Sequence, residues 1–231
     1  MFNKIYTFVF SALLLVSPAI THAENFDYRF NVRLGPAKIG EMEVSGRNEG
    51  GSYSTTAHLF TTGVVGAIYD VSYEYRTEGK VGARGVLLPT HHVSTNIEKR
   101  KTTQLEIRYS GDRVVGVLYT PERDVPATAT GYKRTVDPMT LIYFLLRPAS
   151  PAQTCAGAVE LFDGQSRIKV AFTNVERSAN GQIECDISYA GEKGGGIALS
   201  SLVFVPDSNG LMRIKEFAAE TNIGTLAIKV R

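Results

Sequence analysis

Residues 26–34 read Phe-Asp-Tyr-Arg-Phe-Asn-Val-Arg-Leu. Phe26, Tyr28, Phe30, Val32 and Leu34 fall on one side of an extended chain, and Asp27, Arg29, Asn31 and Arg33 on the other. Extended backbone points successive side chains to opposite faces, so this is a strand with one face in a core and one in water. Gly35-Pro36 stops it, because Pro has no backbone donor for a ladder. The same alternation returns at Tyr69-Val71-Tyr73-Tyr75, Leu105-Ile107-Tyr109, Ile168-Val170-Phe172 and Leu226-Ile228-Val230. Gly111-Asp112, Asp163-Gly164, Asn180-Gly181 and Asn209-Gly210 supply tight-turn chemistry between such runs. The expected fold is all-β: about a dozen antiparallel strands in a strongly curved sheet, a barrel or β-spiral.

One segment departs from period two. Residues 137–146 read Asp-Pro-Met-Thr-Leu-Ile-Tyr-Phe-Leu-Leu, followed by Arg147-Pro148. Asp137 suits a helix N-cap and Pro138 the first helical position, while Arg147 suits the C-terminus and Pro148 ends the run. The spacing predicts a short helix over 137–146, apolar nearly all round, which must be buried on most sides. It either fills the interior of the curved sheet or closes one end and leaves an apolar pocket lined by residues such as Tyr73 and Phe172. The Pro148–Thr154 stretch reads as a connector.

The N-terminus carries a different signal. Lys4 precedes an apolar run from Ile5 to Val16, Pro18 ends it, and Thr21-His22-Ala23 fits a signal peptidase site. Residues 1–23 are expected to be a cleaved signal peptide, with cleavage after Ala23, and 24–231 a single periplasmic domain. The run is too short for a spanning helix, which needs roughly 20 residues. A lipid anchor would need a Cys at the cleavage site, and the first Cys is Cys155. The formal net charge of +2 gives no electrostatic case for nucleic acid or an anionic membrane surface. An outer-membrane barrel would need repeated spanning strands of roughly 9–11 residues, and only Phe26 to Leu34 has that length with clean alternation.

Cys155 and Cys185 are the only cysteines. In an oxidising compartment an isolated pair is a disulfide, and the absence of Cys-x-x-Cys spacing argues against redox chemistry. Cys185 alternates with Ile183, Ile187 and Tyr189, so the bridge is expected to staple the outer members of a three-stranded meander.

Little else suggests chemistry. Beyond the cleavage site lie His58, His91 and His92; adjacent His91 and His92 on a strand point to opposite faces and cannot easily share a metal. No metal and no cofactor is expected. Ser166-Arg167-Ile168-Lys169 matches Ser-x-x-Lys, but it lies on a strand and lacks its partner motifs. Glu98-Lys99-Arg100-Lys101 reads as a solvated turn or strand edge, with a docking patch for an acidic partner as the rival. Thr61 to Ile68 reads as an uncharged loop that tucks into the core, or else as a lip beside a pocket.

The central stretch resembles a family of bacterial periplasmic proteins known as domain of unknown function 3108. The residues that carry the resemblance are Asp137-Pro138 opening an aromatic helix with Tyr143, then Cys155, Phe162-Asp163-Gly164 with Arg167, and Cys185. Met212-Arg213-Ile214 and Gly224-Thr225-Leu226 near the end are similar too. Where the family often has basic residues after Asp-Gly, this chain has Gln165-Ser166, and Asp186 follows the second Cys. The resemblance implies a periplasmic β-barrel or spiral with a disulfide, and no activity.

The expected function is therefore a non-enzymatic cell-envelope protein that binds an apolar small molecule or lipid, or a partner protein, and supports envelope integrity. A monomer is expected, with no nucleic-acid partner and no transmembrane segment in the mature chain. The alternative is a hydrolase acting on an envelope polymer.

Overall fold

A computed structural model describes residues 25–191, 198–221 and 224–231. Residues 1–23, read above as a signal peptide, and the expected cleavage site after Ala23 lie outside the described residues. Among the described residues, fourteen strands form one nearly closed barrel-like sheet. The first seven are β1 (Phe26–Leu34), β2 (Ala37–Glu49), β3 (Ser52–Thr61), β4 (Val71–Val81), β5 (Leu87–Glu98), β6 (Lys101–Ser110) and β7 (Arg113–Thr120), each paired antiparallel with the next. A short helix, α1 (Gly63–Ile68), joins β3 to β4. Then come β8 (Thr135–Val136), a second helix α2 (Pro138–Leu146), β9 (Ala158–Phe162), β10 (Arg167–Arg177), β11 (Ile183–Gly191), β12 (Ala198–Pro206), β13 (Met212–Thr221) and β14 (Gly224–Val230).

The chain meanders from β1 to β7 on one side, and from β14 back to β8 on the other. The two halves join where β14 pairs antiparallel with β1, Phe30 facing Val230 and Leu34 facing Leu226. The sheet is not wholly antiparallel as expected: β8 and β9 are parallel. A parallel pair needs a long crossover, and α2 with the connector after it provides one. The sheet's two ends approach each other: Val114 N–H donates to Tyr132 O at 2.9 Å, and Arg134 N–H to Asp112 O at 2.7 Å. The segment entering β8 is thereby tied to β7 and the β6–β7 turn.

The alternation read from Phe26 to Leu34 becomes burial. Phe26, Phe30 and Val32 face the core, and Asp27 and Arg29 the solvent. The helix read over 137–146 forms as Pro138–Leu146 with Asp137 as its N-cap. It lies inside the sheet, touching β3, β4 and β5 on one wall and β9 and β13 on the other. Met139, Thr140, Leu141, Tyr143, Leu145 and Leu146 are buried. Tyr143 packs on Tyr53 and Phe26, with ring centres 4.9 and 5.7 Å apart, and Phe144 stacks on Phe172. α2 sits in the main core cluster with residues of β1, β2, β3, β5 and β9–β14, while its Ile142 and Phe144 are only half-buried. A nine-residue helix has little stability of its own, so this packing is what holds it.

Cys155 and Cys185 are joined, with Cα atoms 6.3 Å apart. Cys185 sits buried on β11, and Cys155 lies just before β9, so the bridge spans across β10. It closes a loop of 30 residues, which in the chain-entropy account stabilises by about 3–4 kcal/mol. Replacing both cysteines with Ser is expected to lower unfolding free energy by about that amount while keeping the far-UV spectrum of the fold. Two thiols that alkylate freely in the native protein would refute the pairing.

Candidate functional site

Asp137 and Pro138, the first of the residues that the sequence singles out, lie at the N-terminal end of α2, inside the sheet. The first N–H groups of a helix have no partner in the helix itself, and water does not reach these. Asp137 supplies the acceptor. Its Oδ1 accepts from Met139 N–H at 2.9 Å, Thr140 N–H at 3.0 Å and Thr77 Oγ1 at 2.7 Å. Its Oδ2 accepts from Thr140 Oγ1 at 2.7 Å. With the Thr140 hydrogen so committed, Tyr53 OH is the donor in its 2.7 Å bond to Thr140 Oγ1. The Thr77 hydrogen is committed to Asp137 too, so His92 Nδ1–H donates, 2.8 Å from Thr77 Oγ1 and 3.1 Å from Asp137 Oδ1. Asp137 is fully buried and His92 almost so, at 0% and 1% exposure. One carboxylate thus pins α2 to β3, β4 and β5.

Burial pushes the Asp137 carboxyl up, but the neighbouring His92, Thr140 and Thr77 outweigh it and hold it below its ordinary value. Burial, and then the Asp137 charge, push the nearby Tyr109 and Tyr53 phenols upward.

Thr77, His92 and Asp137 bring a hydroxyl, an imidazole and a carboxylate within bonding distance, the ingredients of a nucleophilic relay. Their connectivity is not that of a relay. A relay joins nucleophile and acid through opposite ring nitrogens, whereas here both face Nδ1. The hydroxyl also donates to the carboxylate rather than to the ring. The trio is a buried anchor. Sequence reasoning missed His92 and Thr77 as partners of Asp137. The available signal was a row of polar residues on inward strand positions: Thr55, Thr77, His92 and Ser94 are all buried. His91 and His92 do point to opposite faces, His91 meeting Glu106 on the outside at 2.9 Å.

The rest of the motif fastens the far half of the sheet to the near half. Phe162 is fully buried in a second cluster with Ile107, Tyr109, Val114 and Ala129, and meets Tyr132 edge-on at 5.4 Å. Asp163 Oδ1 accepts from Gln165 N–H at 2.9 Å and Ser166 N–H at 2.7 Å, which fixes the turn. Gly164 has φ +96°, and a Cβ there would lie 2.6 Å from Tyr119 OH and 2.8 Å from Leu105, so the β9–β10 turn presses onto β6 and β7. Arg167 pairs with Glu160 across the hairpin at 3.1 Å, on the surface. Phe162, Asp163, Gly164 and Arg167 thus serve the β9–β10 hairpin and its seat on β6 and β7, whereas Asp137 binds α2 to β3, β4 and β5. The motif is two structural joints rather than one site. Among the described residues no group of His, Cys, Asp and Glu is placed to hold a metal.

A concave space open to a ligand lies on the outside. A groove of about 730 Å³ crosses the outer face of β1–β5. Cross-strand registers line up Arg29, Glu43, His58, Glu74 and Thr95 in one row, and Asp27, Ser45, Thr56, Arg76 and Val93 in the next. Arg29 pairs with Glu43 at 3.3 Å, and His58 Nε2 lies 2.9 Å from Ser72 Oγ.

The Thr61–Ile68 stretch does not tuck into the core. It forms α1, held by Gly66 N–H to Thr62 O at 3.2 Å and Tyr69 N–H to Val65 O at 2.7 Å, with no residue of the helix buried. It packs instead along the ends of β2 and β3.

Stability is expected to follow the Asp137 carboxylate. Its folded pKa is lowered, so its contribution is complete above the ordinary value of 3.8 and fades as pH falls through the lower folded value. Asp137→Ala should cost about 3–5 kcal/mol near neutral pH in urea unfolding, because it strands His92 and two helix N–H groups. The gap between variant and wild type should narrow in acid below that value. A constant gap down to strongly acidic pH would contradict the anchor.

No curated protein matches the chain. Among solved structures it is similar to the crystal structure of a β-barrel-like protein of domain of unknown function DUF1849 from Brucella abortus, with 13% identity, a TM-score of 0.49, and coverage of 89% of this chain and 94% of that one. Residues 28–231 match the family described as "Protein of unknown function (DUF3108)". That span takes in both joints described above, α2 with its Asp137 anchor and the Phe162–Gly164 turn, and the chain belongs to the DUF3108 family.

Proposed function

We propose that the protein is a non-enzymatic, periplasmic cell-envelope protein that works through its outer surface, holding a partner protein in the groove across β1–β5. The observation that carries this reading is a contrast. The inside of the sheet is occupied by α2, with Leu141 at 5% and Tyr143 at 0% exposure, while the groove of about 730 Å³ is outside. Export is supported by the Lys4 and Ile5–Val16 leader pattern and by the pairing of both cysteines.

The groove's chemistry suits a polar segment of mixed charge. Asp27, Glu43 and Glu74 alternate with Arg29, Arg76 and His58 over its floor. Exposed pairs of this kind contribute little to folding, roughly 0–1 kcal/mol, and are free to exchange partners. They contribute more to orientation and specificity of a docked partner than to raw affinity. An interior carrier of apolar ligand would have to seat that ligand beside α2.

Two measurements test this reading. Leu141→Ala is expected to cost about 2–5 kcal/mol, as in a packed core, with native mass spectrometry of the wild type finding no stoichiometric lipid. A photocrosslinker at Thr56, in the groove floor, should trap a discrete envelope protein, and Arg29→Glu with Arg76→Glu should abolish that adduct. A stoichiometric lipid in the purified protein would replace this reading with that of a carrier.

A further inference from the structure

Two stretches that look unrelated in sequence meet at one end of the sheet. The β3–β4 connection carries α1 and exposes Val64 at 78%, Ile68 at 66% and Tyr69 at 56%. The β5–β6 turn carries Lys99, Arg100 and Lys101, all exposed. Lys99 N–H donates to Asp70 O at 2.9 Å, and Lys99 Nζ sits over the Tyr69 ring, 4.8 Å from its centre. Tyr73 OH donates to Glu98 at 2.6 Å, linking β4 to the end of β5. Thr61 Oγ1 donates to Tyr69 O at 2.7 Å and accepts from Val71 N–H at 3.1 Å, which holds the base of α1. The two connections are therefore one unit.

We propose that this unit, the α1 connection with the β5–β6 turn, is a docking tip for an anionic phospholipid surface. Large apolar side chains exposed together at a chain reversal are unusual on a soluble protein unless something covers them. Here the apolar group is small and convex, flanked by three cations, with an aromatic residue between the two. That order matches a bilayer surface: aliphatic tips enter the headgroup–acyl boundary, Tyr69 sits at headgroup level, and Lys99, Arg100 and Lys101 meet phosphates. The acids at the tip are Asp70 and Glu98, and Glu98 is turned to the Tyr73 hydroxyl. The charge that matters is local, so the near-neutral total of +2 does not oppose it.

The test is flotation of the purified protein with vesicles of phosphatidylcholine alone or with added phosphatidylglycerol. Binding is expected to the anionic vesicles only, and to be released by salt. Arg100→Gln and Lys101→Gln should each weaken it about fivefold. Val64→Ser with Ile68→Ser should weaken it roughly tenfold or more. All four positions are exposed, so thermal unfolding should not change, and that control separates lost docking from lost fold. No binding to anionic vesicles at low ionic strength would overturn the proposal, as would binding that all these variants retain. Concentration-dependent dimerisation without lipid, abolished by Val64→Ser with Ile68→Ser, would reassign the tip to a second copy of the chain.

Discussion

The bond set around the Asp137 carboxylate is the interaction on which the rest of the molecule depends. A curved sheet of fourteen strands needs something inside it, and the chain supplies a nine-residue helix too short to form alone. A helix placed in a dry interior brings unpaired N–H groups with it, and each would cost free energy if left so. Asp137 answers that need through Oδ1, which accepts from both the Met139 and Thr140 N–H groups, and its charge complements the helix N-terminus. The charge in turn requires neutralising contacts from the wall. Thr77, His92 and, through Thr140, Tyr53 provide them from three successive strands. Helix position, strand register and the polar inward row on β3–β5 are thus one requirement met by one network.

Closure follows from the same economy. The β1–β14 pairing joins the two meanders, but the outer ends at β7 and β8 have no full ladder between them. The β9–β10 turn fills in, pressing Gly164 against Tyr119 and Leu105 and burying Phe162 beside Ile107. The disulfide secures the base of that hairpin to β11. The joints come from consecutive stretches of chain: the helix cap, the crossover, the bridge and the turn lie between Asp137 and Cys185.

Much of this was legible in the residues. Strict alternation set β1 to its bounds at Phe26 and Leu34, because a half-buried strand leaves a period-two trace. Asp137-Pro138 announced the helix start, since that pair is both a cap and a preset first turn. The cysteine pairing followed from there being two. What stayed hidden depended on three-dimensional neighbours. The parallel β8–β9 pair involves only Thr135 and Val136, too short to leave a periodic signal. His92 read as one of two adjacent histidines of no evident use, because its partners lie 15 and 45 positions away and Thr is an ordinary strand residue. Thr61–Ile68 is apolar enough to read as core, yet it forms α1 with none of the helix residues buried.

Anchored through Asp137, α2 is expected to stay in place inside the sheet and not to open as a gate for a ligand. Native-state hydrogen exchange at the Met139 and Thr140 amides, the two that donate to Asp137, is the sharpest test of that permanence. Both should exchange only through global unfolding, with a free energy equal to that from urea denaturation and a matching denaturant dependence. Exchange of these amides by a local opening, several kcal/mol cheaper and insensitive to denaturant, would contradict it.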